Sequence, residues 1–215
     1  MKNLSSQQLR HVVRAVFVVG FAAAQPGVHA ADYDVLVNTS SLVGNAAGPF
    51  SLDFQLNDGS GLGNNNNRVS IGNFSLANGS LSGAATLVGG ASGSLLEGGF
   101  VISDSSAFNS YTHAFTPGAT LSFRISLTTT AEPGSTSDTF SFGLLDKTQA
   151  NIPTTGPGDS LLSIELSNAS PSPVIASSTS IPIAVTAVSV PEPSQVGLTL
   201  LGLIAGGACL RRRRP

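Results

Sequence analysis

Apolar and polar residues alternate over several stretches in the middle of the chain. The alternation covers residues 50–56, 121–127, 140–144 and 162–166. Because successive side chains of a β-strand point to opposite faces, each stretch would present one apolar and one polar face. No stretch between these runs sustains apolar residues at helical spacing. The pattern therefore predicts strands that each contribute one face to a core.

One of the alternating runs changes parity. Val69 and Ile71 are followed by Phe74 and Leu76, with Gly72-Asn73 between them, which predicts a β-bulge. Turn-forming sequences separate the runs at 57–59, 78–79, 89–90, 117–118, 133–134 and 157–158. Roughly nine or ten short strands separated by such turns predict an all-β fold, a single antiparallel β-sandwich or jelly-roll-like domain. A β-solenoid is the main alternative, and no fixed repeat period supports it.

The N-terminus has the parts of a secretory signal. Basic residues precede an apolar stretch at 15–24, which has the length of a signal core and is too short to span a bilayer. Pro26 and Gly27 then interrupt the helix, and small or branched residues follow. We therefore expect a signal helix that signal peptidase removes between Ala30 and Ala31. A buried helix of a cytosolic domain is the alternative interpretation.

The C-terminus combines three features in a fixed order. Pro191, Glu192 and Pro193 precede an apolar run over residues 196–210. A helix over residues 194–210 would be about 26 Å long, near the short limit for crossing a membrane. Cationic side chains resist translocation, which predicts a cytoplasmic stop. That stop consists of Arg211, Arg212, Arg213 and Arg214. An ordinary membrane anchor is the alternative interpretation.

The order of these parts resembles the PEP-CTERM sorting signal of exported bacterial proteins. The resemblance covers residues 190–215, and it implies that an exosortase recognises Pro-Glu-Pro and removes the helix and the basic end. It further implies export in a Gram-negative bacterium, with transient anchoring in the inner membrane and then release to the cell surface or medium. The expected organisation is a signal peptide at 1–30, an exported domain at 31–189 and the sorting signal at 190–215.

The body of the chain is similar to a recurrent group of PEP-CTERM proteins. The similar segments lie at 33–42, 52–55, 108–111 and 140–146. The group carries no established activity, so the resemblance implies only a single β-rich exported domain.

The end of this body leaves two interpretations open. Residues 168–180 are expected to form a loop or a stalk. Residues 181–190 alternate again, either as a last strand that Pro182 places at a sheet edge or as a spacer leading to the membrane.

Few residues of the body suggest catalysis. His113 is its one histidine, and we expect it at the surface or in a turn. No nucleophile elbow, zinc-protease motif, Walker A loop or dinucleotide fingerprint occurs. Candidate carboxylates for a glycosidase exist, but Asp53 and Glu165 alternate with core residues and are expected on solvated faces. The other candidates are Glu97, Asp104 and Asp146. We expect no enzyme, no catalytic residue and no cofactor.

Metal and nucleic-acid partners are also not expected. The segments 57–60 and 64–67 offer oxygen atoms for calcium, but Asp58 is their one carboxylate, so a mobile polar loop is the preferred interpretation. The chain has a formal net charge of −2, and its body is acidic between basic ends, which excludes a phosphate-neutralising patch. Cys209 is the only cysteine, which excludes an intrachain disulfide framework.

Carbohydrate binding is the main functional alternative. Sugars stack on exposed aromatic rings, and Tyr111 with Asn109 and His113 is the best available sugar-contact cluster. The primary hypothesis is a non-enzymatic surface or matrix protein with a structural or adhesive role in an exopolysaccharide or biofilm context. The alternative is a carbohydrate-binding module that reaches the same place. Extracellular polysaccharide is the partner expected under either hypothesis, and a hydrolase is a third hypothesis that we do not expect.

Overall fold

The structure is a computed structural model that describes residues 28–130, 136–155, 157–166, 173–176 and 181–189. The expected signal helix, the Pro-Glu-Pro motif, the C-terminal apolar run and the arginine cluster lie outside the described residues. Within the described ranges, no helix combines the length and apolar character required to cross a membrane.

The described residues form thirteen β-strands and no α-helix. The strands are β1 (Val28–Asn38), β2 (Phe50–Asn57), β3 (Asn67–Ala77), β4 (Ser80–Leu81), β5 (Thr86–Val88), β6 (Gly90–Ser94), β7 (Gly99–Ser103), β8 (Phe108–Thr116), β9 (Thr120–Thr130), β10 (Thr139–Leu145), β11 (Leu162–Glu165), β12 (Pro173–Ile175) and β13 (Ile183–Val188). Short 3-10 turns lie at Ser40–Leu42, Leu95–Glu97 and Pro157–Asp159.

The strands form two antiparallel sheets. The first sheet has the order β13-β1-β9-β3-β7-β6, and the second has the order β12-β11-β10-β2-β8-β4, with β5 also paired to β8. All of these pairings are antiparallel. The prediction of an all-β fold built from antiparallel strands is confirmed.

The two sheets share one hydrophobic core. Phe54 of β2 lies at its centre, with ring centroids 5.1 Å from Phe100 of β7, 5.3 Å from Phe123 of β9 and 4.8 Å from Phe142 of β10. These partners come from both sheets, so the apolar faces predicted by the alternation meet across one interface. The contacts of Phe54 with Phe100 and Phe123 are edge-to-face, a geometry that adds to the hydrophobic stabilisation of the core.

The predicted bulge is present in β3. The register opposite β9 shifts between Gly72 and Ser75, and Asn73 adopts a φ of 50°. Ile71 before the shift is buried, and Phe74 after it packs half-buried against the core. The bulge therefore restores the apolar parity that the sequence changes at this point.

Two uncertain segments near the end of the body are strands. β13 pairs with β1 from Asp32↔Val188 to Val37↔Ile183 at the edge of the first sheet, which confirms the last-strand interpretation. β12 pairs with β11 at the edge of the second sheet. The expectation of a loop or stalk is therefore wrong for β12, and most of the remaining range 168–180 lies outside the described residues.

The first strand begins before the expected cleavage site. In β1, Ala30 lies opposite Thr128 and Ala31 lies opposite Leu127. Cleavage between them would remove the first pairings with β9 and leave the remainder through Asn38. The cleavage site remains a prediction.

The number of strands expected from sequence is too low. The short strands β4, β5 and β6 had no counterpart in the alternation analysis. β6 consists of small residues, whereas β4 and β5 have only two and three residues, and all three strands lie exposed or half-buried. Strands that are this short or lack large apolar side chains do not show the periodic pattern on which the prediction depends.

Candidate functional site

The expected sugar-contact cluster is buried. Asn109 and Tyr111 of β8 are 0% exposed, and His113 is 1% exposed. All three share the inward face of the strand with Phe115. They offer no ring or amide to a sugar in solvent, so the predictions of a sugar contact here and of a surface histidine are wrong. The parity that these residues share with Phe115 is the sequence signal that could have revealed their burial.

A continuous chain of hydrogen bonds satisfies the Tyr111–His113 pair. The Leu95 backbone N–H donates to the Tyr111 hydroxyl over 3.2 Å, and that hydroxyl donates to His113 Nδ1 over 3.0 Å. His113 Nε2–H then donates to the Gly83 carbonyl over 3.1 Å, which assigns the tautomer. The Tyr111 ring stacks on Phe100 with centroids 3.8 Å apart, and burial raises the pKa of the tyrosine. We call these residues the Tyr111 cluster, and it acts as a structural bridge.

Asn109 is likewise fully bonded. Its Oδ1 accepts a hydrogen bond from the Gly90 N–H at 2.7 Å. Its Nδ2 donates to the Leu56 carbonyl at 3.0 Å and to the Ser106 carbonyl at 2.7 Å. The side chain therefore joins β8 to its neighbours rather than facing a ligand.

Asp53 departs from its expected solvated position. It lies on the outward face of β2 but is only 5% exposed. Its carboxylate accepts hydrogen bonds from Gln55 Nε2 at 2.6 Å and Thr112 Oγ1 at 3.2 Å. Burial raises the pKa of Asp53, and these two bonds oppose that rise. The expectation is thus wrong for Asp53, and it is confirmed for Glu165, which is exposed.

A polar cleft opens beside Asp53 on the outer face of the second sheet, with a volume of about 190 Å³. A Cβ built on Gly143 would lie 2.8 Å from Asn151 Oδ1, so the absence of that side chain keeps the cleft open. Asn151 Nδ2 donates to the Gly158 carbonyl, whereas its buried Oδ1 has no donor among the described residues. We call this the Asp53 cleft, and its other lining residues are Gln55, Asn57, Thr139, Ser141, Ser160 and Ser163.

A second polar site lies where β3 begins, β7 ends and β10 is about to begin. Asp104 Oδ2 accepts from the Asn67 backbone N–H at 3.1 Å. Asp138 Oδ2 accepts from Asn67 Nδ2 at 2.9 Å, and Asp138 Oδ1 accepts from the Gly59 N–H at 2.9 Å. All three side chains are buried, with Asp104 at 0% exposure. Burial together with the neighbouring Asp138 raises the pKa of Asp104 to about 6. We call this group the Asp104–Asp138 pair.

The Asp104–Asp138 pair contains acceptors that no donor reaches. Asp104 Oδ1 and Asn67 Oδ1 are buried and have no hydrogen-bond partner among the described residues. Buried polar atoms are nearly always paired, so such atoms require a specific explanation. Sequence analysis missed this grouping because the two carboxylates are far apart in the chain. Both carboxylates lie just outside strand ends, which is a sequence signal for a loop position. That signal does not specify which loops meet in the fold.

The asparagine-rich loop is held by Asp58. Asp58 Oδ1 accepts from the Ser60 and Gly61 N–H groups, and Oδ2 accepts from the Gly63 N–H at 2.6 Å. Burial opposes its charge, but these bonds outweigh that effect and lower the pKa of Asp58. The Asp58 oxygens are therefore directed at the backbone of their own turn over 58–63, and the expected mobility of the polar loop stays a prediction.

The other candidate carboxylates occupy separate places. Glu97 is exposed in a 3-10 turn, and Asp146 accepts hydrogen bonds from Thr148 within its own loop. In the described ranges, no three His, Cys, Asp or Glu side chains come together as a metal-binding group. Comparison with known proteins gives no further guidance, since no family model, curated protein or solved structure matches the chain.

Proposed function

We propose that this chain is an exported, non-catalytic surface or extracellular-matrix protein with a structural or adhesive role in an exopolysaccharide or biofilm context. Signal peptidase processes its N-terminal end, and an exosortase processes its C-terminal end. Between them lies a single jelly-roll-like domain. A nucleic-acid partner is not part of the proposal, because the acidic body has no phosphate-neutralising patch.

The observation that carries this proposal is where the folded body ends. β13 ends at Val188, and Pro191-Glu192-Pro193 follows almost immediately in the sequence. From the sequence, the two prolines are expected to interrupt any helix between the last strand and the apolar run. A processing enzyme at the membrane face would therefore meet a short accessible segment and would not need to unfold the domain.

The pairing of the first and last strands supports the same arrangement. Asp32 lies opposite Val188 in the antiparallel β1–β13 pair. Ala31, the expected mature N-terminus, and Val188, the end of β13, consequently lie at the same end of the first sheet. Removing both terminal segments would leave the β1–β13 pairing in place, so processing is compatible with a stable product.

Mass spectrometry of the released protein tests the proposal. The mature chain is expected to begin at Ala31 and to lack any peptide beyond about Ser194. Replacement of Pro191, Glu192 and Pro193 by alanine should trap a membrane-bound precursor. Pro182→Ala is the matched control, because it removes a nearby proline outside the motif and should leave release unchanged. Normal release of the triple variant would contradict a sorting role for the motif.

We infer carbohydrate binding at the Asp53 cleft as a second candidate function. The observation that favours it is Asn151 Oδ1, which is buried and has no donor among the described residues, in a cleft that also presents a carboxylate, amides and hydroxyls. Such groups form hydrogen bonds with sugar hydroxyls.

A polysaccharide pull-down distinguishes this candidate. Gly143→Ala places a methyl group against Asn151 and Ser141→Ala removes a lining hydroxyl, so both variants should lose binding. Ser126→Ala, on the first sheet, is the control and should keep it. If the Ser141 and Ser126 variants bind equally well, the Asp53 cleft is not the sugar site.

A further inference from the structure

We propose that the Asp104–Asp138 pair and Asn67 form a calcium site. The site lies at one end of the sandwich, where the loop after β2 meets the end of β7 and the start of β10. The inference is independent of the proposed function, because it rests only on the contacts of these residues.

The Asp104–Asp138 pair carries uncompensated charge in the described residues. Two buried carboxylates meet at Asn67, which donates to Asp104 Oδ2 through its backbone N–H and to Asp138 Oδ2 through Nδ2. In the described part of the chain, the only ion pair is the exposed one between Asp34 and Arg124. No lysine or arginine salt bridge therefore neutralises this pair there. Buried charges in proteins are normally paired or coordinate a metal ion.

Two buried oxygen atoms of the site have no hydrogen-bond donor among the described residues. Asp104 Oδ2 and both Asp138 oxygens accept N–H bonds, whereas Asp104 Oδ1 and Asn67 Oδ1 accept none from the described residues. Asn67 contacts both carboxylates, one through its backbone N–H and the other through Nδ2. A 180° turn of its amide would place the oxygen where Nδ2 now lies, beside Asp138, and would replace the Nδ2 hydrogen bonds to Asp138 and Asn66 by oxygen contacts to a cation. A cation at the pair would then satisfy both orphan acceptors.

The oxygen donors of the site favour calcium. The available donors are carboxylate and amide oxygens, with Asn66 Oδ1 only 2.6 Å from Asn67 Nδ2 as a further one. Calcium accepts six to eight such oxygens in irregular geometry, whereas magnesium requires a near-ideal octahedron and retains its waters. Two carboxylates are fewer than a tight site uses, so we expect binding in the range of extracellular modules, about 10⁻⁴–10⁻³ M.

The test is calcium binding to the detergent-solubilised full-length chain after chelator treatment. Isothermal titration calorimetry should give one calcium ion per chain. The melting temperature should rise by roughly 5 °C when calcium reaches about 100 times its dissociation constant. Magnesium chloride and sodium chloride at matched ionic strength should give smaller shifts.

Single substitutions locate the site. Asp104→Asn and Asp138→Asn should each abolish both the heat of binding and the thermal shift, whereas Asp34→Asn removes an exposed carboxylate and should preserve both. If Asp138→Asn does not fold, the test depends on Asp104→Asn. This variant should fold, because an amide at position 104 can donate a hydrogen bond to Asp138. Absence of calcium binding, an equal response to sodium, or unchanged binding in Asp104→Asn would each overturn the proposal.

Discussion

Two buried polar groups of the fold differ in whether all of their polar atoms have hydrogen-bond partners. In the Tyr111 cluster, each polar atom of the tyrosine and histidine side chains has a partner, from the Leu95 N–H through to the Gly83 carbonyl. In the Asp104–Asp138 pair, two buried acceptors have no donor among the described residues, and two carboxylates lie together. The first group resembles a structural network, and the second resembles a site prepared for a cation.

Burial alone therefore does not identify a functional site. Tyr111 and His113 are as deeply buried as Asp104, and they contain the residue types usually associated with catalysis. Satisfied hydrogen bonds tie them to the fold, whereas unsatisfied acceptors and like charges cost stability unless a ligand compensates. Substitutions in each group test this distinction.

The largest effect is expected for Tyr111→Ala. This change removes a fully buried ring that stacks on Phe100, and it also breaks the hydrogen-bond chain. The free energy of unfolding should fall by about 3–5 kcal/mol, as for other buried aromatic truncations. Urea denaturation measures the change. A loss below about 1 kcal/mol would mean that the ring is not packed as described.

Tyr111→Phe isolates the hydrogen bonds. The ring remains, but the Leu95 N–H loses its acceptor and His113 Nδ1 loses its donor. We expect a loss of about 1–3 kcal/mol in urea denaturation. The loss should be equal in calcium and in chelator, because this cluster has no part in the cation site. A calcium-dependent loss would remove the distinction between the two groups.

Asp104→Asn should act in the opposite direction when chelator is present. Replacing one of two adjacent buried carboxylates by an amide removes a like-charge contact and supplies a donor to Asp138. The free energy of unfolding should rise by about 1 kcal/mol in chelator and lose its calcium response. If the variant is instead less stable than wild type in chelator, the wild-type pair is not under charge strain.

The smallest effect on stability is expected at Asp53, a buried carboxylate that is not part of the proposed calcium site. Burial raises the pKa of Asp53 above 3.8, so the folded state holds this proton more tightly than the unfolded chain. Its contribution is therefore fully present below the unfolded pKa and is lost as pH rises through the folded pKa.

Asp53→Asn should remove this loss and become more stable relative to wild type as pH rises, by no more than about 1 kcal/mol. Denaturation at several pH values measures the trend. A difference that does not change with pH would contradict it. Because both Asp53 oxygens have donors, calcium should not alter the result.

The sequence predicted the parts of the fold that depend on periodicity. Alternation at Phe50–Leu56 correctly indicated an inward face, and the parity change at Gly72-Asn73 correctly indicated a bulge. Strands without large apolar residues, such as Gly90–Ser94, left no periodic signal. The pairing of strands that are distant in the chain could not be predicted either, since alternation does not specify which strand lies next to another.

The sites were less predictable, for a related reason. Alternation gives the face of a residue but not what covers that face. Asp53 points outward as expected, yet residues such as Asn151 and Ser160 line the same cleft and the carboxylate is buried. The Asp104–Asp138 pair depends on three strand ends meeting, which is set by loop geometry and not by local sequence.

A crystal structure of the released protein grown with calcium chloride tests the contrast between the two groups most directly. We expect a density peak about 2.3–2.6 Å from oxygens of Asp104 and Asp138, with the Asn67 amide oxygen turned toward it. The Tyr111 cluster should be identical with and without calcium. A direct hydrogen bond between the two carboxyl groups, with no density between them, would contradict the account.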